Sequence, residues 1–253
     1  MYGTKIKTIC IAGKNKCAIK ALEFVINQKK NFNIVSLTNN SDNGKDSWQK
    51  SFKKYCSKKK IKILKVKDLY KIKNLFLFSL EYEHLLKNNS FKSNNLFNFH
   101  FSLLPKYRGC HTNFYQILNG EKKSGVTLHK IDKGIDTGAI LDRITFKIKL
   151  DDTAYQNYLR LMDYSFLLFK KNFNQIIKGN YKLKKQNLKK GSYFSRESVN
   201  YKSLINIKNI DDKMRTHNLI RSLIFPAFQY PVYKGKKIKK SIFYNKKIKL
   251  NYL

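Results

Sequence analysis

Six residues, Leu96-Phe97-Asn98-Phe99-His100-Phe101, limit the fold more than any other stretch of this chain. The run is apolar and aromatic, with two polar residues set two apart. In a β-strand, residues two apart share a face. Asn98 and His100 therefore point together, while Phe97, Phe99 and Phe101 fill the opposite face. The strand breaks at Ser102-Leu103-Leu104-Pro105. Pro105 fixes its own φ and lacks a backbone donor, and Gly109 permits a turn. An amide beside an imidazole at the end of an apolar strand, followed by a rigid loop, is where an open α/β sheet places its chemistry.

The rest of the chain supplies such a sheet. Residues 5–12 read as a buried strand, 13–16 as a turn and 17–27 as a buried helix. The turn contains no GxGxxG, so no dinucleotide cofactor is expected. Strands are expected over 32–37, 61–66 and 74–79. An amphipathic helix is expected over 46–58, with Trp48, Phe52, Tyr55 and Cys56 on one side. Glu81, Glu83 and His84 read as a solvated helix start, where acids are favoured. Residues 112–118 read as a helix stopped by Asn119-Gly120, and 124–131 and 139–146 as strands. A long helix runs to about Lys178, with Tyr155, Leu159, Leu161, Met162, Phe166 and Leu167 recurring at helical spacing as its expected core residues. This alternation predicts an α/β fold with a mostly parallel, doubly wound sheet. A basic connector, 179–191, separates a domain of residues 1–185 from a small region over 192–253. That region reads as a helix near 210–224 followed by two or three strands.

Charge bears on the partners. The formal net charge is +37, and arginine occupies only six positions, so lysine carries nearly all of it. Asn, Ile, Phe and Tyr are abundant as well. That is the residue usage of an AT-rich genome, with lysine spread over solvated faces, and nucleic acid is not the expected partner. No apolar run is long enough to span a membrane, and the N-terminus lacks a signal-peptide core, so a cytoplasmic protein is expected. Cys10, Cys17, Cys56 and Cys110 include no CxxC pair, so neither a metal cluster nor a disulfide framework is expected.

Three motifs then occur in order: Asn98-x-His100, Ser102-Leu-Leu-Pro-x-Tyr-Arg-Gly109, and His129-Lys-Ile-Asp-Lys-Gly-Ile-Asp136-Thr-Gly138. Together they resemble the folate-dependent formyltransferases. That family includes the glycinamide ribonucleotide, methionyl-tRNA and sugar N-formyltransferases. The resemblance implies a Rossmann-like catalytic domain and a small β-rich C-terminal region. It implies 10-formyltetrahydrofolate as co-substrate, without a metal. The family's catalytic Asn, His and Asp fall on Asn98, His100 and Asp136. Asn98 would donate to the formyl oxygen, His100 would act as general base, and Asp136 would orient His100 and raise its pKa. The folate site would be lined by Ser79, Leu80, Glu81 and Tyr82, by Ser102, Leu103, Leu104 and Pro105, and by Ile131 and Asp132.

The acceptor is read from the tail. Only about 60 residues follow Gly191, which is small for the barrel of the methionyl-tRNA enzymes and more than the purine-pathway enzyme carries. The resemblance is thus nearest to the sugar N-formyltransferases, with a nucleotide-linked amino sugar as substrate. dTDP-4-amino-4,6-dideoxyglucose or a close isomer is the expected sugar, in surface-polysaccharide synthesis, and a homodimer is the expected assembly. Lys14, Asn15, Lys106, Tyr107, Arg108 and Arg221 are the candidate substrate contacts. Ordinary turn or helix-end roles stand beside that reading for each of them. A methionyl-tRNA formyltransferase with a shortened C-terminal domain, and a basic nucleic-acid-binding protein without catalysis, are the alternatives.

Overall fold

The computed structural model describes residues 6–253. Lys5, expected in the first strand, lies outside them. The chain forms two compact units. Unit 1 comprises the residues up to His100, Val126–Ile144 and Met162–Leu188. Unit 2 comprises Phe101–Gly125, Thr145–Leu161 and Lys189–Leu253. Residues 192–253 thus fold together with two earlier segments of the chain.

The elements in order are β1 (Lys7–Gly13), α1 (Asn15–Ile26), β2 (Phe32–Thr38), α2 (Phe52–Lys58), β3 (Lys62–Ile63), α3 (Val66–Leu69), β4 (Leu75–Leu80), β5 (Leu96–His100), β6 (Arg108–Gly109), α4 (Thr112–Leu118), β7 (Lys123–Lys130), β8 (Ile140–Lys147), α5 (Ala154–Lys178), β9 (Tyr193–Phe194), α6 (Tyr201–Leu204), α7 (Lys213–Leu223), β10 (Val232–Tyr233), β11 (Lys236–Tyr244) and β12 (Lys247–Tyr252). The large sheet has the order β3-β2-β1-β4-β5-β7-β8. Its first five strands are parallel, and β7 runs antiparallel to β5. The mostly parallel α/β sheet expected from the alternation of elements is present.

Strand periodicity divides the core of unit 1. On β4, Leu75 and Leu77 join Cys10, Val35, Leu37 and Leu96 in one cluster. The alternate residue Phe78 packs instead against Phe169 and Phe173 of α5, which also meet Phe24 of α1. A fully buried aromatic of this size contributes about 2–3 kcal/mol. In unit 2, Phe114, Ile220, Leu223 and Ile238 form the core beneath a sheet of order β10-β11-β12.

Three local expectations need correction. The helix over 46–58 begins only at Phe52. Asp42 accepts from Gly44 N, Ser51 Oγ and Lys53 N, and Asp46 accepts from Ser51 N. These side chains capture backbone donors that a helix would use, and Ser51 caps α2 instead. Glu81 and Glu83 start no helix. Glu81 has φ +62°, and the Glu83 carboxylate accepts from the Asn40 and Ser41 backbone and the Ser41 hydroxyl. On α5, Leu159 and Leu167 are exposed, whereas Leu161, Leu168, Phe169, Phe173 and Ile176 are buried. The period was legible, but its phase was hidden by Asn157, Ser165 and Asn172, polar residues on the buried stripe. Among the described residues, no helix is long and apolar enough to cross a membrane.

Candidate active site

The C-terminal end of β5 presents Asn98 and His100 on one face, as their two-residue spacing requires. The loop after β7 brings a carboxylate to them. His100 Nδ1 lies 3.3 Å from Asp136 Oδ2, and Asn98 Nδ2 donates to Asp136 Oδ1 at 3.2 Å. Both ring and carboxylate are largely withdrawn from solvent, with side-chain exposures of 8% and 11%. Nδ1 is thus the ring nitrogen turned to the carboxylate.

A further histidine, which the sequence motif contains but spacing did not single out, completes the cluster. Antiparallel pairing places His129 directly across from Asn98, where side chains on one face meet. His129 Nδ1 lies 2.7 Å from Lys130 O. A carbonyl only accepts, so Nδ1 carries the hydrogen and Nε2 of the neutral ring is an acceptor. That Nε2 faces Asn98 Nδ2 at 3.2 Å and Asp136 Oδ1 at 3.5 Å. The Asn98 amide is thereby turned with its nitrogen between two acceptors. Ser79 pairs with Asn98 from the other neighbouring strand.

The Asp136 loop is built for a sharp approach. Asp136 has φ +54°, a region that non-glycine residues rarely adopt. A Cβ on Gly138 would lie 1.8 Å from Lys130 O, so only glycine fits there. Asp132 accepts from Gly134 N and from Thr137 Oγ1 at 2.7 Å, making it the bracket of this loop. Ile131 donates its N–H to Leu96 O. Lys130 Nζ bonds Asn94 O and sits 4.4 Å from the Phe97 ring centroid, and burial lowers its pKa to about 8.

The other residues singled out from sequence in unit 1 form a network around the β4 exit. Leu80 is fully buried, and its carbonyl accepts from Lys14 N. Asn15 has φ +63°, is buried, and donates its side-chain amide to the Glu81 carboxylate. Asn39 clasps the same loop from both ends, donating to Glu81 O at 2.9 Å and accepting from Glu83 N at 3.1 Å. Tyr82 packs edge-on against His84.

The remaining candidates belong to unit 2. Ser102 Oγ donates to Lys106 O, and the Leu104–Pro105 peptide bond is cis. Lys106 Nζ and the Tyr107 hydroxyl both bond the Glu121 carboxylate. Burial drives the Tyr107 pKa up to about 12. Arg108 and Gly109 pair as β6 with Tyr193 and Phe194. Arg221 is 3% exposed, and its guanidinium donates to Asn218 Oδ1, Asp152 O and Ile117 O. Those bonds give it the place of an internal tie, and burial lowers its pKa to about 10.

A family model described as formyl transferase matches residues 8–168. The chain belongs to the formyltransferase family. Among curated relatives of this formyltransferase, the bifunctional polymyxin resistance protein ArnA of Wigglesworthia glossinidia brevipalpis is 41% identical over 112 residues. That match covers 44% of this chain and 17% of ArnA. The methionyl-tRNA formyltransferase of Clostridium tetani is 30% identical over 248 residues, covering 91% of this chain and 78% of that enzyme. Among solved structures, WlaRD, a sugar 3N-formyl transferase in the presence of dTDP and 5-N-formyl-THF, is 44% identical with a TM-score of 0.90. That alignment covers 96% of this formyltransferase and 88% of WlaRD. The N-formyltransferase of Helicobacter canadensis, in complex with folinic acid and dTDP-3-aminofucose, is 42% identical with a TM-score of 0.90, covering 95% and 88%. The fold and family implied by the Asn98, His100 and Asp136 motifs agree with these findings.

Proposed function

We propose that this formyltransferase moves the formyl group of 10-formyltetrahydrofolate to the amine of a dTDP-linked amino-dideoxy sugar. The observation that carries the reading is one carboxylate, Asp136, held within 3.5 Å of Asn98, His100 and His129. The likeness to structures with dTDP-3-aminofucose and with dTDP supports a 3-amino sugar ahead of the 4-amino isomer expected from sequence. His100 Nε2 accepts a proton from the sugar amine as its nitrogen bonds to the formyl carbon. Asn98, whose two N–H groups rest on Asp136 and His129, gives up one of these contacts and donates that N–H to the oxygen on which charge develops, a contribution typically worth about 10²–10³ in rate. The bond to N10 of the folate then breaks, and the proton held by His100 passes to that nitrogen. The products are a formamido sugar and tetrahydrofolate. Asp136 keeps the imidazole in the tautomer this exchange needs.

The test is transfer by purified protein from 10-formyltetrahydrofolate to dTDP-3-amino and dTDP-4-amino sugars, with methionyl-tRNA alongside. Methionyl-tRNA is included because a methionyl-tRNA formyltransferase matches across most of this chain. Formylation of a dTDP sugar with no product on tRNA supports the reading. Product on tRNA alone overturns it.

A further inference from the structure

The segment after α5 reads in sequence as a basic connector, but in unit 1 it is fastened to the active-site loop. Lys184 exchanges two backbone hydrogen bonds with Ile140, each 2.8 Å, at the start of β8. This lays the segment beside the exit of the loop that carries Asp136. Two residues on, Gln186 turns its amide into that loop. Its Nε2 donates to Asp136 O at 2.9 Å and to Gly138 O at 2.7 Å. Both hydrogens of one nitrogen are therefore used on carbonyls two residues apart. The amide cannot be turned over without setting its oxygen against the same two carbonyls, so its orientation is fixed.

We infer that Gln186 is a positioning residue for Asp136, acting on the backbone from which the carboxylate reaches His100 and Asn98. The inference rests on the role proposed for Asp136. Two features make a clamp necessary there. Asp136 holds a positive φ, which costs an L-residue about 1–2 kcal/mol and persists only where surrounding bonds impose it. Gly138 has no slack either, because its α-carbon faces Lys130 O too closely for any side chain. A loop strained at one end and jammed at the other relaxes by moving Asp136. A displacement of about 1 Å at a catalytic group costs on the order of 10²-fold in rate.

The decisive variant is Gln186→Met, which keeps the length of the side chain and removes the donors. Gln186→Glu places a carboxylate against the two carbonyls. Lys185→Ala, on the neighbouring exposed residue, is the control. With the best dTDP sugar, Gln186→Met should lower kcat by about 10–100-fold and leave both KM values within about twofold. Gln186→Glu should lower kcat at least as far, and Lys185→Ala should change neither. In an Asp136→Asn background the same Gln186→Met change should cost less than about twofold, because residues acting through one group are not additive. Equal losses in both backgrounds, or an unchanged kcat, overturn the inference. Hydrogen exchange of the amides at 132–138 supplies a readout independent of activity. Faster exchange there in Gln186→Met, with the rest of the sheet unchanged, supports the clamp, and unchanged exchange refutes it. A wild-type protein inactive on every acceptor refutes the proposed function, and the exchange result then decides the clamp by itself.

Discussion

Two buried polar clusters in this molecule, each built on a histidine, take opposite forms. In unit 1, His100 and His129 converge with Asn98 on the Asp136 carboxylate. In unit 2, His217 sits between Ser241 Oγ and Leu150 O, each at 2.8 Å, and Arg221 ends on Asp152 O, Ile117 O and Asn218. By residue type the unit 2 cluster is as suited to chemistry as its counterpart, with a serine hydroxyl against an imidazole and a guanidinium nearby. What separates them is where the hydrogen bonds end. The unit 2 groups end on backbone carbonyls, and His217 and Ser241 have no more than 2% of their surface exposed. Their donors and acceptors are used up inside. In unit 1, His100 and Asn98 end on an ionisable carboxylate, and His129 joins them while its other ring nitrogen is tied to Lys130 O. A polar cluster stabilises a fold when its bonds close on backbone, and it does chemistry when a proton can still be exchanged.

The comparison predicts that disrupting the unit 1 cluster costs rate and disrupting the unit 2 cluster costs stability. The largest effect is expected for Asp136→Asn, which keeps the shape and removes the charge. Its transfer rate should fall by about 10²–10⁴-fold, with the melting temperature within about 2 °C of the parent's. A rate within tenfold of the parent breaks the comparison at its chemical end. Next comes Arg221→Met in unit 2. It strips two buried carbonyls of their donor, at about 1–3 kcal/mol each. For a chain of this size the melting temperature should drop by about 5–15 °C. The specific activity of the folded fraction at low temperature should not change. A normal melting curve with lost activity would make Arg221 a substrate contact after all.

Much of the unit 1 cluster was legible in the amino-acid sequence. The two-residue spacing of Asn98 and His100 in an aromatic strand, and the order of the motifs ending at Asp136, identified the residues that meet. His129 was not singled out because its place comes from pairing across β5 and β7, and nothing in its neighbours marks that register. Gln186 was lost in a lysine-rich stretch whose composition describes a linker. Arg221 was left between contact and helix end, since burial of a guanidinium depends on which carbonyls the folded chain brings to it. The helix over 46–58 failed because Asp42, Asp46 and Ser51 bind backbone N–H groups that helix periodicity assigns elsewhere.

Two smaller effects sharpen the contrast. His129→Gln retains an acceptor but not the fixed ring, so Asn98 loses its defined orientation. A loss of about tenfold in kcat is expected, smaller than that of removing the donor itself. Steady-state kinetics at saturating folate would test it, and a loss as large as that of Asp136→Asn would make His129 a proton carrier. The last effect is a pH dependence. Burial lowers the His217 pKa below its ordinary 6.5. Its neutral form is thus favoured in the folded state, and the stability this confers is present above about pH 6.5. As pH falls through 6.5 toward the lowered folded value, the unfolded chain takes up a proton that the folded chain refuses, and stability declines. Thermal melts between pH 5 and 8 should show that decline, and His217→Gln should flatten it.

The central claim is that His100 exchanges the proton of the transfer reaction, and it is tested most directly by rescue. Formyl transfer by His100→Ala should fall by about 10²–10⁴-fold while the protein melts as the parent does. Free imidazole in the buffer should then restore part of the rate, with the restored rate rising with the concentration of its neutral form. Undiminished transfer by His100→Ala would contradict the account, as would a loss that accompanies unfolding and that imidazole does not restore.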